Sequence, residues 1–113
     1  APLYQITFTG DSDQIDVVGS HDGFARLRRL LAENPDEKPV LKVYEFREPT
    51  PSANQERSRR RAQSLHAALS AAGIAVTAIE IRAAGDVDVT TETDLPIQKL
   101  MHSRIELSWL SRR

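Results

Sequence analysis

The stretch NQERSRRRAQSLHAALSAAG, residues 54–73, is the strongest helix signal in the chain. Small and apolar side chains recur along one line of it, all within about 40° of Ser58 on a wheel that turns by about 100° per residue. These side chains are Ala62, Leu65, Leu69 and Ala72. Such a narrow stripe is typical of a helix that lies on a sheet, so the sequence predicts a long helix packed against strands.

The arginines of this helix are not equivalent. Arg59 and Arg60 point away from the stripe and Arg57 is intermediate, whereas Arg61 and Asn54 lie along one edge of it. The first turn of a helix offers free backbone N–H groups, and an arginine fork beside it suits a carboxylate. Asn54 and Arg61 are therefore candidate ligand-binding residues. The alternative is that Asn54 only caps the helix and the arginines form a solvated face.

Length and composition predict one globular domain, residues 1–113. Apolar residues make up 40% of the chain and charged residues 27%, which is ordinary for such a domain. The net charge of −1 creates no field for nucleic acid, and the arginine cluster lacks the aromatic residues of a nucleic-acid site. The absence of cysteine excludes disulfides and thiolate metal sites. No apolar run in this fragment approaches the roughly 20 residues of a transmembrane segment.

Residue patterning predicts four strands and two main helices. The strands cover residues 3–8, 40–46, 76–82 and 104–110. The first helix is capped by Ser20 and ends before Asn34, the second is the 54–73 helix, and a short third helix covers 96–101. Strands with one apolar and one polar face predict a sheet that the helices cover on one side, an α/β (α+β) two-layer sandwich.

Period-two alternation assigns the faces of the strands. The expected apolar sets are Tyr4, Ile6 and Phe8 in the first strand and Ile105, Leu107 and Trp109 in the last. The expected outward set of the last strand is Arg104, Glu106 and Ser108. In the second strand, Glu45 falls on the same side as Leu41 and Val43, and Phe46 falls on the other.

Motifs for catalysis are missing. The chain has no G-x-S-x-G nucleophile elbow, no phosphate-binding glycine loop and no H-E-x-x-H pair. Its histidines, His21, His66 and His102, lack metal-ligand spacing. We therefore expect no enzyme, no metal site and no cofactor, and a small hydrolase or transferase has no motif in its favour.

The run NQERSRRRAQSL, residues 54–65, resembles the N-x-x-L-S-x-x-R-A-x-x-V signature of OmpA-like C-terminal domains, which also occur in MotB-type flagellar stators and peptidoglycan-associated lipoproteins. Gly73-Ile74, the segment 81–86 and the segment 103–107 resemble later parts of the family pattern in the same order. The resemblance implies a βαβαβ(α)β sandwich with a four-stranded mixed sheet covered by helices on one face. It also implies a non-enzymatic cell-envelope domain, in the periplasm or at the outer membrane, that binds the diaminopimelate of the peptidoglycan stem peptide.

Carried over residue by residue, the resemblance places the motif arginine on Arg61 and the motif asparagine on Asn54. In the family an aspartate meets the diaminopimelate ammonium, and ungapped counting puts that position on Phe46. Phenylalanine cannot pair an ammonium, and losing one partner of a buried charge pair costs about 2–5 kcal/mol. Glu45 is the nearby replacement, which we expect to require a bulge or twist at the strand end because it alternates with Phe46. Arg57, where the family has leucine, favours an acidic partner.

Two functions follow from this degenerate motif. The first is an envelope domain that resembles peptidoglycan anchors, with an altered pocket in which binding is weakened or lost. The alternative is a protein–protein interaction or scaffold module of an envelope assembly. An open pocket with a free Arg61 head group favours ligand binding, whereas a pocket plugged by Phe46, or Arg61 tied to Glu45, favours the scaffold.

Overall fold

A computed structural model describes residues 2–86 and 103–111 of the chain. In chain order, the elements are α1 (His21–Glu33), β1 (Glu37–Tyr44), α2 (Pro51–Ala71), β2 (Glu80–Gly85) and β3 (Arg104–Ser111), with a single 3-10 turn (Val76–Ala78) before β2. Within the described residues, β1 is the centre of a three-stranded sheet, parallel to β2 and antiparallel to β3.

The hydrophobic core joins the two helices to one face of the sheet. Its buried members include Phe24 and Leu27 of α1, Ala62, Leu65 and Leu69 of α2, Leu41 and Val43 of β1, and Ile105 and Leu107 of β3. The stripe predicted for the long helix is thus the buried one, and Arg59 and Arg60 are exposed as expected. The mixed α+β organisation of two helices and a mixed sheet is confirmed.

Helix α2 begins at Pro51, three residues earlier than predicted, and its cap is Thr50 rather than Asn54. The Thr50 hydroxyl accepts a hydrogen bond from the Ala53 N–H at 3.1 Å, and proline suits the first helical position because its missing N–H has no partner there. At the other end, Gly73 has a φ of +79°, the left-handed conformation that closes helices.

The predicted first strand, residues 3–8, is wrong. This segment makes isolated bridges only, from Pro2 to Glu106 and from Phe8 to Ile15. Leu3 and Ile6 are both buried although they are three residues apart, and Tyr4, expected on the same side, is 55% exposed.

Ser20 explains the bend in this N-terminal segment. Its hydroxyl accepts a hydrogen bond from the Thr7 N–H at 3.0 Å and makes no cap bond to α1, although it stands at the predicted cap position. The Ser20 side chain therefore bonds the Thr7 N–H, a group that would pair with a neighbouring strand if this segment were part of the sheet. The predicted four-stranded sheet is accordingly three-stranded in the described residues.

Strands β1 and β2 begin and end at other residues than the sequence predicts. Strand β1 starts at Glu37 because antiparallel pairing with β3 extends it through Pro39. Strand β2 runs to Gly85, whereas the sequence placed its end at Arg82, because pairing with β1 overrides the low strand propensity of two alanines and a glycine. The short helix predicted over 96–101 lies outside the described residues.

The polar side of β3 is buried, contrary to the expectation that it faces outward. Arg104 and Glu106 are only 6% and 4% exposed. The Arg104 guanidinium lies 5.0 Å from the centroid of the Tyr44 ring, and its Nε is 3.2 Å from Glu106 Oε1. An ion pair over an aromatic ring thus makes a second small cluster on this face of the sheet.

Candidate functional site

Glu45, the first residue after β1, carries the carboxylate at the centre of the candidate site. Its side chain is fully buried on the same side as Val43, facing α2. Oε1 accepts hydrogen bonds from the backbone N–H groups of Phe46 at 2.8 Å and Arg47 at 2.9 Å, and from the hydroxyl of Ser103. One carboxylate oxygen therefore joins the end of β1, the loop after it and the residue before β3.

Two arginines of α2 hold the other oxygen of Glu45. Arg57 Nε lies 3.0 Å from Oε2, and Arg61 Nη1 lies 3.5 Å from it. The arginines are four residues apart, so one turn of helix places both on the same side. Arg57 also pairs with Glu48 at 3.2 Å, and the Arg61 guanidinium lies 4.2 Å from the centroid of the Phe8 ring. Arg61, which is 5% exposed, is tied inside the protein.

Residues 10–14, GDSDQ, cover these arginines, and we call this segment the acidic loop. The Ser12 carbonyl accepts a hydrogen bond from Arg61 Nη2 at 2.9 Å. Asp13 Oδ2 accepts one from Arg60 Nε at 2.8 Å, and its Oδ1 lies 3.5 Å from Arg61 Nε. The acidic loop thus presents both a carbonyl and a carboxylate to the arginine face of α2.

Asp11 connects the acidic loop to two further arginines. Its carboxylate accepts a hydrogen bond from Arg47, and its backbone carbonyl accepts one from Arg57. The loop is closed on itself by a hydrogen bond of 2.8 Å from the Thr9 N–H to the Gln14 carbonyl. Its position is therefore set by charged contacts to α2 and by its own short turn.

Phe46 lies on the opposite face of the sheet. Its ring stacks on Tyr44 with centroids 6.4 Å apart and an interplanar angle of 8°, and the Arg104 guanidinium lies 6.0 Å from its centroid. Phe46 therefore does not plug the site, and Glu45 is the residue that meets Arg61.

The simple alternation of β1 carries Glu45 to this position. The expected bulge in that strand is absent: the ladder between β1 and β2 shifts between Val43 and Tyr44, but the extra residue is Ala84 of β2. The Glu45 N–H still bonds the Gly85 carbonyl at 2.9 Å, which continues the pairing past the shift. Glu45, which the sequence offers as the replacement for the acid at Phe46, therefore reaches Arg61 without a bulge in β1.

Asn54 is buried but stands apart from the carboxylate centre. Its Oδ1 accepts a hydrogen bond from the Glu48 N–H at 2.9 Å, and its Nδ2 donates to Asp86 Oδ2 at 3.0 Å. The amide therefore fixes the loop before α2 and the residue after β2. Of the four predicted site residues, the structure brings together Glu45, Arg57 and Arg61.

The electrostatics of the site keep both acids ionised. Burial raises the pKa of Glu45, but the hydrogen bonds from Ser103 and two backbone N–H groups, with the charge of Arg61, lower it overall below its ordinary value of 4.5. Burial also raises the pKa of Asp13, but the hydrogen bond from Arg60 and the charges of Arg60, Arg57 and Arg61 together lower it below its ordinary value of 3.8. Burial lowers the pKa of Arg61, which remains charged because an arginine does not deprotonate in proteins.

A cavity of about 220 Å³ lies beside this network, between Arg61 and the N-terminal segment. Its apolar lining is Leu3, Ile6, Phe8 and Ile105, and its polar lining includes Tyr4, Thr7, Arg47, Arg61, Ser103 and Arg104. Pockets for small molecules usually span about 300–1,000 Å³, so this one suits a single functional group rather than a whole ligand.

Sequence reasoning missed several contributors to the site, among them Asp13, Ser103 and Glu48. The available signal for Asp13 was charge balance, since acids cluster near residues 11–16 and arginines near 57–61. Contacts such as that of Ser12 with Arg61, 49 residues apart, have no local pattern. Ser103 was noted only as part of a family-like segment.

Neither described helix combines the length and the hydrophobicity of a membrane-spanning segment. In residues 2–86 and 103–111, no three His, Asp or Glu side chains come together as a metal site requires.

The fold resembles that of a crystal structure from Desulfovibrio vulgaris that is described as a MotB-like protein. The TM-score is 0.69 at 18% sequence identity, and the match covers 99% of this chain and 73% of the other. No protein-family model matches the chain, and no curated protein matches it in sequence. The structural comparison therefore supports the mixed α+β organisation that the OmpA-like resemblance implied.

Proposed function

We propose that this chain is a non-enzymatic cell-envelope domain of OmpA-like fold that serves as a protein–protein interaction module rather than as a peptidoglycan anchor. The observation that carries this proposal is the complete burial of the Glu45 carboxylate in contact with Arg61. The two groups expected to grip diaminopimelate are bound to each other and to their own protein. The envelope and periplasmic assignments rest on the OmpA-like fold.

The bonding capacity of Glu45 is already used. A carboxylate offers about four lone-pair positions, and this one receives three hydrogen bonds at Oε1 and two arginine contacts at Oε2. A diaminopimelate ammonium has to replace one of these donors in a site closed to water. Arg61 is equally committed, since its guanidinium also holds the Ser12 carbonyl and lies on the Phe8 ring.

The cost of opening the pair is large relative to the affinity of a small ligand. Separating a buried charge pair costs about 3–5 kcal/mol. A ligand with an intrinsic dissociation constant of about 1 μM binds with about −8.2 kcal/mol, so a cost near 4 kcal/mol reduces it to about 1 mM. Such a domain does not anchor a cell wall by itself, and this supports the scaffold over the anchor.

A weak peptidoglycan anchor is the second candidate, and one observation favours it. Glu45 and Arg61 face each other, as the acid and the arginine of an anchor do, and the cavity of about 220 Å³ borders Arg61 and Ser103. In this alternative, Glu45 replaces the family aspartate, while Asn54 and Arg57 support the site. The ammonium and the carboxylate of the stem peptide then pair with Glu45 and Arg61, which offsets the cost of separating these two residues.

Cosedimentation with purified peptidoglycan sacculi separates the two candidates. The scaffold predicts no pelleted protein above background, with an aspartate-containing OmpA-like domain as the positive control. The weak anchor predicts pelleting that saturates and that disappears in an Arg61→Met variant. Saturable pelleting of the wild type, lost in that variant, would overturn the proposal.

A further inference from the structure

We propose that the acidic loop occupies a binding site for an acidic segment of a partner protein, and that this segment displaces the loop when it binds. The inference rests on the proposed function, because it names the chemistry of the partner that the interaction module receives. The site is the arginine face formed by Arg57, Arg60 and Arg61 of α2, together with Arg47.

The loop already satisfies this face in the manner of a ligand. Two carboxylates and two backbone carbonyls, contributed by Asp11, Ser12 and Asp13, meet the four arginines. These are the groups that any extended acidic peptide presents. The acidic loop is itself a carboxylate-rich segment that occupies the arginine face. The face is therefore complementary to such a segment.

The fit of the loop is incomplete at the deepest arginine. Arg61 Nε and Asp13 Oδ1 are both buried and 3.5 Å apart, yet neither makes a hydrogen bond in the described part of the chain. Buried polar atoms are nearly always bonded, so this pair marks a place where another carboxylate bonds better. An arginine fork takes a carboxylate through two parallel hydrogen bonds, which Asp13 does not achieve here.

The contacts of the acidic loop with Arg47 and Arg60 lie at the surface, where water weakens ion pairs most. The side chains of Asp11 and Arg47 are 80% and 60% exposed, and that of Arg60 is 44% exposed. Exposed ion pairs contribute little because solvent screens them and the side chains lose freedom. A partner with similar groups can therefore replace these outer contacts at little cost, and it then offers its own carbonyls and carboxylates to Arg57 and Arg61.

The partner is an acidic protein segment rather than a nucleic acid. The occupant seen in the site is a peptide with carboxylates, and the chain's net charge of −1 provides no long-range attraction for a polyanion. Inorganic phosphate serves as the control for a general anion site.

The probe is an N-acetylated, C-amidated peptide TGDSDQI, which repeats residues 9–15, titrated into ¹⁵N-labelled protein and followed by amide and arginine Nε shifts. The wild type binds it weakly, because its own loop competes. The Asp11→Asn, Asp13→Asn double variant binds it about ten-fold more tightly, since both carboxylate contacts of the competing loop are removed. The neutral peptide TGNSNQI does not bind.

A matched pair of arginines provides the control. In the double variant, Arg60→Gln weakens binding of the peptide about five-fold or more, whereas Arg59→Gln leaves it unchanged, because Arg59 contacts Glu56 and not the loop. Equal effects of the two substitutions, equal binding of phosphate and peptide, or no tightening in the double variant would each overturn the inference. None of these results bears on peptidoglycan, so the sacculus experiment tests the proposed function separately.

Discussion

Replacing Glu45 with glutamine keeps the size of the side chain and removes its charge from the centre of the site. The buried guanidiniums of Arg57 and Arg61 then lose the charge of Glu45, although Arg57 keeps Glu48 at 3.2 Å and Arg61 keeps Asp13 at 3.5 Å. The NH2 group of the glutamine also has to face other N–H donors. In one orientation these are the backbone N–H groups of Phe46 and Arg47, and in the other they are the arginines. Breaking a buried pair on one side costs about 3–5 kcal/mol, and the remaining contact of Arg57 places the expectation near 3 kcal/mol.

Chemical and thermal unfolding measure this cost directly. For a domain of this size a loss of about 3 kcal/mol lowers the melting temperature by roughly 10–20 °C. It also removes a large share of a total stability that is typically about 5–15 kcal/mol. Glu56→Gln is the matched control, because the ion pairs of Glu56 within the described residues are with Arg59 and Arg60 at half-exposed positions, and we expect little change.

The result that refutes the reasoning is a stable glutamine variant. If Glu45→Gln unfolds within about 1 kcal/mol of the wild type, the carboxylate is not the acceptor that holds the strand end, the loop and α2 together. The burial of the Glu45–Arg61 pair would then impose no barrier to a ligand, and the argument against an anchor would fail with it.

Three further predictions follow from the same geometry. Phe46→Asp does not create stem-peptide binding in an NMR titration, because that side chain lies on the Tyr44 face of the sheet. Gly73→Ala lowers the free energy of unfolding by about 1 kcal/mol in denaturant titrations, a conformational cost, since φ is +79° and no atom of the described residues lies within 4 Å of the new Cβ. Folding lowers the pKa of Glu45, so the contribution of its charge to stability is complete above pH 4.5 and declines as the pH falls below that value. Unfolding measured at several pH values therefore shows a shallower decline of stability in Glu45→Gln than in the wild type.

The long helix was predictable because its signal is local and strongly periodic. The stripe through Ser58 and Leu65 is buried, Arg59 and Arg60 are exposed, and Arg61 borders the core as the wheel required. Alternation along β1 likewise placed Glu45 and Phe46 on opposite faces. Ungapped counting placed the family's acid position on Phe46, whereas the residue that meets Arg61 is Glu45.

The N-terminal segment was not predictable in the same way. Its apolar alternation fits a strand, but the hydroxyl of Ser20 takes the Thr7 N–H, and Gly23 of α1 approaches the Gln5 carbonyl so closely that an added Cβ would lie 2.5 Å from it. Tertiary contact decides the conformation there, as it does for β2. The contacts of the acidic loop were not predicted for a related reason, since the arginines that it contacts lie far along the chain.

The most direct test of the central claim is an amide NMR titration with a diaminopimelate-containing stem peptide, on the wild type and on Arg61→Met. The account predicts no saturation below about 1 mM peptide, the dissociation constant to which opening a buried charge pair reduces a micromolar ligand. Shifts that cluster at Glu45, the loop after it and Arg61, saturate below that range and vanish in the variant would contradict the account and identify a working peptidoglycan anchor.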